Sequence, residues 1–260
     1  MTAFLDFPAT AFEAGTSFWR ALTACTLSPP RGAFEEFATL VPESGDAFLR
    51  VQRTAESTPR CHLDLHVERV DESAEQAVCL GASVGEERPG IVVMTSPGGL
   101  PFCVVRHRGE EHRPAPKVWS GGHRSLVDQL CLDIPPGAPA DEGAFWAAFT
   151  GWERRPGSRP EFDYLVRPAG MPLRLLVQRL DDGGVDRCAS HLDFACDDVD
   201  AEVHRHEALG ASVVRAMTNW TTLVDPTGMR YCVTGRNPGP GGALRAGVGC
   251  GGAGGQFVSS

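Results

Sequence analysis

The sequence predicts an α+β fold of two tandem domains, each built from two units of strand, helix and further strands, and three observations carry that prediction. Cys61-His62-Leu63-Asp64-Leu65-His66-Val67-Glu68-Arg69-Val70-Asp71 has a twin in Ser190-His191-Leu192-Asp193-Phe194-Ala195-Cys196-Asp197-Asp198-Val199-Asp200, with the same His-Leu-Asp opening and apolar alternation. The twins lie 129 residues apart (191 less 62), and the pairs Gly81/Gly210 and Cys103/Cys232 keep that spacing. Phe4-Leu5-Asp6 and Cys131-Leu132-Asp133 supply two more copies of the strand opening, each leading into a helical stretch with an aromatic pair, Phe18-Trp19 or Phe145-Trp146. Self-similarity at a fixed period marks a duplicated architecture. At about 110 residues, each half is long enough to bury its own core.

The elements follow in order. Ala3 to Pro8 reads as a strand ended by proline, which cannot donate to a ladder. Thr10 to Cys25 carries Phe12, Trp19 and Leu22 at helical spacing. Phe34 to Val41 and Ala47 to Arg53 form a hairpin around Glu43-Ser44-Gly45-Asp46. His62 to Glu68 opens the second unit; Asp71 stands where an N-cap belongs, and Gly81 stops the helix. Ile91 to Met94 and Phe102 to His107 close the first domain, expected over 1–109. A Pro- and Gly-bearing linker is expected over 110–126. The second domain, 127–236, repeats the plan: strand Gln129 to Ile134, helix Asp141 to Thr150, hairpin Phe162 to Arg167 with Leu173 to Leu180, and the loop Asp181-Asp182-Gly183-Gly184. His191 to Cys196, the helix Asp200 to Leu209, and strands Thr221 to Val224 and Arg230 to Thr234 complete it. The Gly-rich tail over 237–260 is expected to be disordered.

Composition narrows the functional classes. An apolar content of 42% fits a soluble globular protein, and no run of about 18 apolar residues is present to span a membrane. A net charge of −9 disfavours nucleic acid and anionic lipid, which need clustered Lys and Arg. The first residues lack a basic and apolar leader. Nine cysteines without CxxC pairs point to reduced thiols in a cytoplasm rather than a disulfide framework.

His191-Leu192-Asp193 followed by Asp197-Asp198-Val199-Asp200, then Glu207-Ala208-Leu209-Gly210-Ala211, and Trp220 leading into Asp225-Pro226-Thr227-Gly228 and Tyr231-Cys232 together resemble the vicinal oxygen chelate superfamily, in its glyoxalase-like, bleomycin-resistance-like branch. The resemblance implies domains of two βαβββ modules whose mixed sheet curls around a cleft. In metal-dependent members, first and last strands present four ligands, usually His or Gln and Glu. Mapped onto this chain, His62 and His191 fall on first-strand ligand positions. Cys103 and Cys232 replace the last-strand Glu, Leu49 and Leu175 occupy the matching strands, and Phe4 and Cys131 stand at the other openings. A catalytic divalent ion usually needs three protein ligands. With one His and at best one Cys per domain, the expectation is a cleft without a metal or other cofactor; the alternative is a His-Cys zinc site completed by Asp64 or Asp193.

Each candidate residue has two readings. His62 and His191 are either core histidines satisfied by Asp64 and Asp193, or cleft-lining groups in which His191 with Asp193 supplies acid/base chemistry. Asp6, Asp64, Asp133 and Asp193 recur in all four units, which favours a structural duty at strand ends. Cys103 and Cys232 read as buried small apolar residues or as ligand contacts. Trp220 and Arg230, where the first half has Ile91 and Pro101, suit an aromatic wall and a fixed donor for a flat organic ligand, or a core tryptophan and a solvated arginine. Gln52 and Gln178 either reach a ligand or face solvent.

The function expected from these residues is capture of a small organic molecule, a metabolite or antibiotic, in a metal-free cleft. The ligand contacts expected are His62, Asp64, Cys103, His191, Asp193, Trp220, Arg230 and Cys232. The competing expectation is an enzyme of lyase, isomerase or dioxygenase type. A third possibility leaves one domain as a structural partner. Tandem fusion supplies within one chain the pairing that single domains gain by dimerising, so a monomer or a homodimer is expected.

Overall fold

The structure, a computed structural model, describes residues 1–138, 142–181 and 187–239. The Asp182-Gly183-Gly184 part of the expected loop, and the Gly-rich tail from 240 on, lie outside the described residues.

The first half runs β1 (Thr2–Pro8), α1 (Phe12–Thr23), β2 (Thr26–Leu27), β3 (Phe37–Val41), β4 (Leu49–Thr54), β5 (Arg60–Val67), α2 (Val70–Cys79), β6 (Ser83–Arg88), β7 (Ile91–Thr95) and β8 (Pro101–Arg106). The second runs β9 (Lys117–Val118), β10 (Arg124–Ile134), α3 (Glu142–Thr150), β11 (Arg154–Pro156), β12 (Phe162–Leu165), β13 (Arg174–Arg179), β14 (Ala189–Cys196), α4 (Val199–Ala208), β15 (Ser212–Ala216), β16 (Trp220–Val224) and β17 (Arg230–Thr234). The strands form two mixed sheets, β2-β3-β4-β1-β5-β8-β7-β6 and β11-β12-β13-β10-β14-β17-β16-β15, with β9 paired to β10. The α+β class and the tandem duplication are borne out.

In each sheet the two unit openings meet at the centre as an antiparallel pair, which sets Phe4 opposite His62 and Cys131 opposite His191. Each opening strand also pairs in parallel with the last strand of its own unit, β1 with β4, β5 with β8, β10 with β13 and β14 with β17. Residues two apart on these strands share a face. Leu175 and Val177 therefore go to the buried side, and Arg174, Leu176 and Gln178 to the cleft side.

Local differences from the expected elements have local causes. Strands β6 and β15 were not expected, because every residue in them is exposed and they carry no apolar alternation. Helix α2 starts at Val70, with Arg69 at its N-cap and no side-chain cap, so Asp71 sits inside the first turn, where a carboxylate favours the helix dipole. In α4 a true cap is present: Asp198 Oδ1 accepts from the Ala201 amide at 3.0 Å. Both helices stop where expected, with Gly81 at φ +102° and Gly210 at +107°, the left-handed conformation that glycine adopts without strain.

Helices α1 and α3 lie between the sheets and cross-brace them. The ring of Trp19, fully buried, packs 5.3 Å from Tyr231 and 6.2 Å from Phe194 of the second half. Trp146 and Phe145 pack 5.2 and 5.9 Å from Phe102 of the first half. Thus the aromatic pairs cover the opposite domain's sheet, and the two halves share one core. Truncating a buried aromatic of this size costs about 3–5 kcal/mol, so the seam is a major source of stability.

Candidate functional site

A cleft of about 420 Å³ opens on the curled face of the second sheet, a size suited to a small organic ligand. Its floor is His191 and Asp193 from β14, Cys232 and Thr234 from β17, and Gln129 from β10. Its walls include Phe162, Tyr164 and Trp220, with Arg159, Arg174 and Arg236 among the polar residues. Trp220 is half-buried, packs edge-on to Phe162 at 5.8 Å, and carries the Arg159 guanidinium 5.4 Å from its ring.

His191 is held by its neighbours on both sides. Its Nδ1 lies 2.8 Å from Asp133 Oδ2 on the adjacent strand, which leaves Nε2 facing Asp193 Oδ1 at 3.3 Å and Cys232 Sγ at 3.5 Å. The first half repeats this arrangement: His62 Nδ1 is 2.8 Å from Asp6 Oδ2, and Nε2 is 3.6 Å from Asp64 Oδ1. The four recurrent aspartates therefore do not share one duty. Asp6 and Asp133 orient the histidines from across the strand pair, whereas Asp64 and Asp193 point at the open nitrogen.

Asp64 Oδ1 and Asp193 Oδ1 are buried and accept no well-formed hydrogen bond. A buried carboxylate oxygen whose nearest partner is a histidine Nε2 at 3.6 Å (Asp64) or 3.3 Å (Asp193) is poorly satisfied, and a cation bound between the two groups would satisfy it better. Burial alone would drive His191 toward its neutral form. The Asp133 carboxylate, with Cys131 and Cys232 close by, instead holds its pKa well above the ordinary histidine range. The same surroundings that retain a proton would attract a metal ion.

The expectation of a metal-free cleft is overturned by this geometry. Instead of one His and at best one Cys, three donor side chains converge in each half: His62, Asp64 and Cys103, and His191, Asp193 and Cys232, with ligand atoms within 4.8 Å of one another. A further overlapping group joins Cys131, Asp133 and His191. The donor set, one imidazole nitrogen, one carboxylate oxygen and one sulfur, fits a divalent transition metal with open positions left over.

The two clefts are not equivalent. In the first, the Phe4 ring stacks on His62 at 4.7 Å and 11°, and the Arg50 guanidinium lies 5.6 Å from the same ring. Phe4 and Arg50 occupy the strand positions held in the second half by Cys131 and Leu176. Smaller side chains there leave no ring stacked on His191. The donors themselves are about equally buried in both halves, His62 11% and His191 13% exposed, so what differs is the cover over each site.

The remaining candidates divide. Trp220 and Gln178 line the second cleft; Arg230 is exposed at the start of β17 and is not among the lining residues. Leu49 and Leu175 are buried on the core side, so the cleft-side residues of those strands are Arg50 and Leu176 instead. Gln129, Tyr164, Phe162 and Arg174 were missed from the sequence. One signal was present: Arg174 puts a long charged residue directly before the apolar run Leu175-Leu176-Val177.

A profile of the glyoxalase-like domain matches residues 2–105 and again 129–234, and the chain belongs to that family. Solved structures similar to it in fold include a glyoxalase and several dioxygenases. One is a Mn(II)-bound glyoxalase from Novosphingobium aromaticivorans, 18% identical, with a TM-score of 0.62 over 89% of this chain and 80% of that one. A second is a variant of homoprotocatechuate 2,3-dioxygenase from Brevibacterium fuscum, 14% identical, TM-score 0.63, covering 91% of this chain and 70% of the other. A third is 2,2',3-trihydroxybiphenyl 1,2-dioxygenase from a dibenzofuran-degrading Sphingomonas wittichii strain, 13% identical, TM-score 0.58, covering 90% and 88%. No curated protein matches the chain in sequence. The manganese in the first of these structures agrees with the converging donors in correcting the metal-free expectation.

Proposed function

We propose that the second-domain cleft binds a small organic molecule beside a divalent metal ion held by His191, Asp193 and Cys232. The observation that carries this reading is the buried, unsatisfied Asp193 Oδ1 facing His191 Nε2 at the floor of an aromatic-walled cleft. A metal bound there would act as a Lewis acid, polarising an oxygen of the bound molecule.

The chain's own groups prepare the site. Asp133 fixes the His191 ring so that Nε2 points into the cleft, the orienting role that a carboxylate commonly plays behind a ligating histidine. Gln129 donates to Asp193 Oδ2 and so leaves Oδ1 free to bind. Phe162, Tyr164 and Trp220 offer flat apolar walls that shed water as a planar ligand enters. His191 and Asp193 are also the groups placed to hold or pass a proton at the bound molecule. The first domain, capped by Phe4, serves as scaffold.

All eight cysteines among the described residues are free, which suits a reducing compartment such as the cytoplasm. Among the described residues no helix is long and apolar enough to cross a membrane. The test is metal analysis of protein purified without chelator or affinity tag. Stoichiometric metal in the native protein, lost in His191→Ala, is expected. Native protein that takes up no manganese or zinc would remove the reading.

A further inference from the structure

We propose that the molecule taken by the second cleft is a monoanion, a planar organic acid whose carboxylate is received by Arg174. The inference rests on the cleft reading above and adds the charge class of its ligand.

Three guanidinium groups line this cleft, and two are already neutralised. Arg236 grips Asp128 through two parallel hydrogen bonds of 2.9 and 2.6 Å. Arg159 pairs with Glu161 at 2.8 Å. Arg174 has no carboxylate partner within ion-pair distance among the described residues. Its Nε donates to Gln129 Oε1, and its guanidinium lies 5.4 Å from the Tyr164 ring. Among the described residues its two Nη groups make no hydrogen bond, although each carries two donors. Burial and the nearby Arg236 lower its pKa to about 10, so it remains charged at neutral pH.

A mostly buried cation without a counter-ion is expensive unless its partner arrives with the ligand. The planar fork of an arginine matches a carboxylate in bidentate geometry. Charge counting favours a monoanion. With Arg236 held by Asp128 and Arg159 by Glu161, Arg174 is the one guanidinium of the lining without a carboxylate partner among the described residues. A phosphate dianion would need a second free cation there.

Geometry ties the two ends of the ligand together. Arg174 bonds Gln129, and Gln129 bonds Asp193, so one side chain holds the anion receptor and the metal-facing carboxylate in a fixed relation. Tyr164 flanks the guanidinium and Trp220 lines the same cleft, which suits a flat body between the two ends. In the first domain the residue just before Leu49, the counterpart of Leu175, is Phe48 rather than an arginine.

The test is calorimetric titration of the full chain with benzoate and phenylacetate against benzamide and phenylacetamide, which match them in shape without the charge. The acids are expected to bind at least tenfold more tightly than the amides, and Arg174→Gln to reduce that preference to within twofold. Trp220→Ala is expected to weaken all four probes. Acids and amides that bind alike to a cleft weakened by Trp220→Ala would overturn the anion inference alone, and so would a preference that survives Arg174→Gln. Binding of none of the probes, or binding that Trp220→Ala leaves unchanged, would overturn the cleft reading and this inference with it. The acid-to-amide ratio in the unmodified chain needs no variant to fold.

Discussion

His191 Nδ1 sits 2.8 Å from Asp133 Oδ2, and the two residues come from different units of the second domain, 58 positions apart. The contact exists because the unit openings pair antiparallel at the sheet centre, Cys131 against His191, which brings the aspartate two residues beyond Cys131 alongside the imidazole. Losing an orienting carboxylate behind a ligating histidine typically costs 10–100-fold in metal affinity. Asp133→Asn is therefore expected to weaken zinc(II) binding by about that factor while the thermal midpoint stays near that of the parent. Unchanged affinity in a calorimetric titration would remove Asp133 from the site.

On the opening strand, the difference between the two clefts that lies against the histidine is Phe4 against Cys131. Cys131→Phe is expected to plug the second cleft and to lower small-ligand affinity more than tenfold. The reverse change, Phe4→Ala, empties a buried site and should destabilise the chain by about 3–5 kcal/mol, read from a denaturant titration. A Cys131→Phe protein that keeps its ligand would show that the cleft is entered elsewhere.

Trp19 Nε1 donates to Asp225 Oδ2 at 2.9 Å, and Asp225 Oδ1 accepts from the amides of Thr227 and Met229 at 2.8 and 2.9 Å. One carboxylate thus organises the β16–β17 turn and ties helix α1 to it. Trp19→Phe keeps most of the apolar area and strips one donor from a buried anion, a change that costs about 1–3 kcal/mol. A loss of unfolding free energy of less than about 0.5 kcal/mol, read from a denaturant titration, would mean that packing alone holds the seam.

Acid sensitivity should come from α4. Glu202, fully buried, accepts from Arg205 at 2.8 Å and from His206 at 3.0 Å. Burial opposes its charge, yet Arg205 and His206 hold its carboxyl well below the usual carboxylate range. Burial also lowers His206 despite its bond to Glu202. As pH falls through 6.5, the unfolded chain binds a proton at His206 before the folded chain does. Below 4.5 the same holds at Glu202, so both groups make stability fall with pH. Near neutrality the raised His62 and His191 oppose His206, so the thermal midpoint should drop mainly below about pH 5, and Glu202→Gln should flatten that part of the curve. A midpoint that rises toward acid below about pH 5 would contradict the assignment.

Periodicity and repetition made most of the fold legible, because alternation of polar and apolar residues in His62-Leu63-Asp64-Leu65 and its twin follows the two faces of the pleat, even though both faces are buried here. Edge strands β6 and β15 bury nothing and left no such trace. The site was half legible. The histidines stood out, but the register that sets Asp133 beside His191, or Leu176 rather than Leu175 on the cleft side, depends on pairing between strands far apart in sequence. A one-residue error there exchanges the two faces of a strand. The metal-free expectation failed at a different step: Asp193 was legible as a third donor two residues along the strand from His191, but the pairing of β14 with β17 that brings Cys232 to the same point was not.

Titration of the full chain with zinc(II) and manganese(II), comparing His191→Ala with His62→Ala, locates the metal most directly. Loss of tight binding in His191→Ala, with retention in His62→Ala beneath its Phe4 cover, is the predicted result. Retention in His191→Ala, or loss in His62→Ala alone, would contradict the placement of the metal and its ligand in the second cleft.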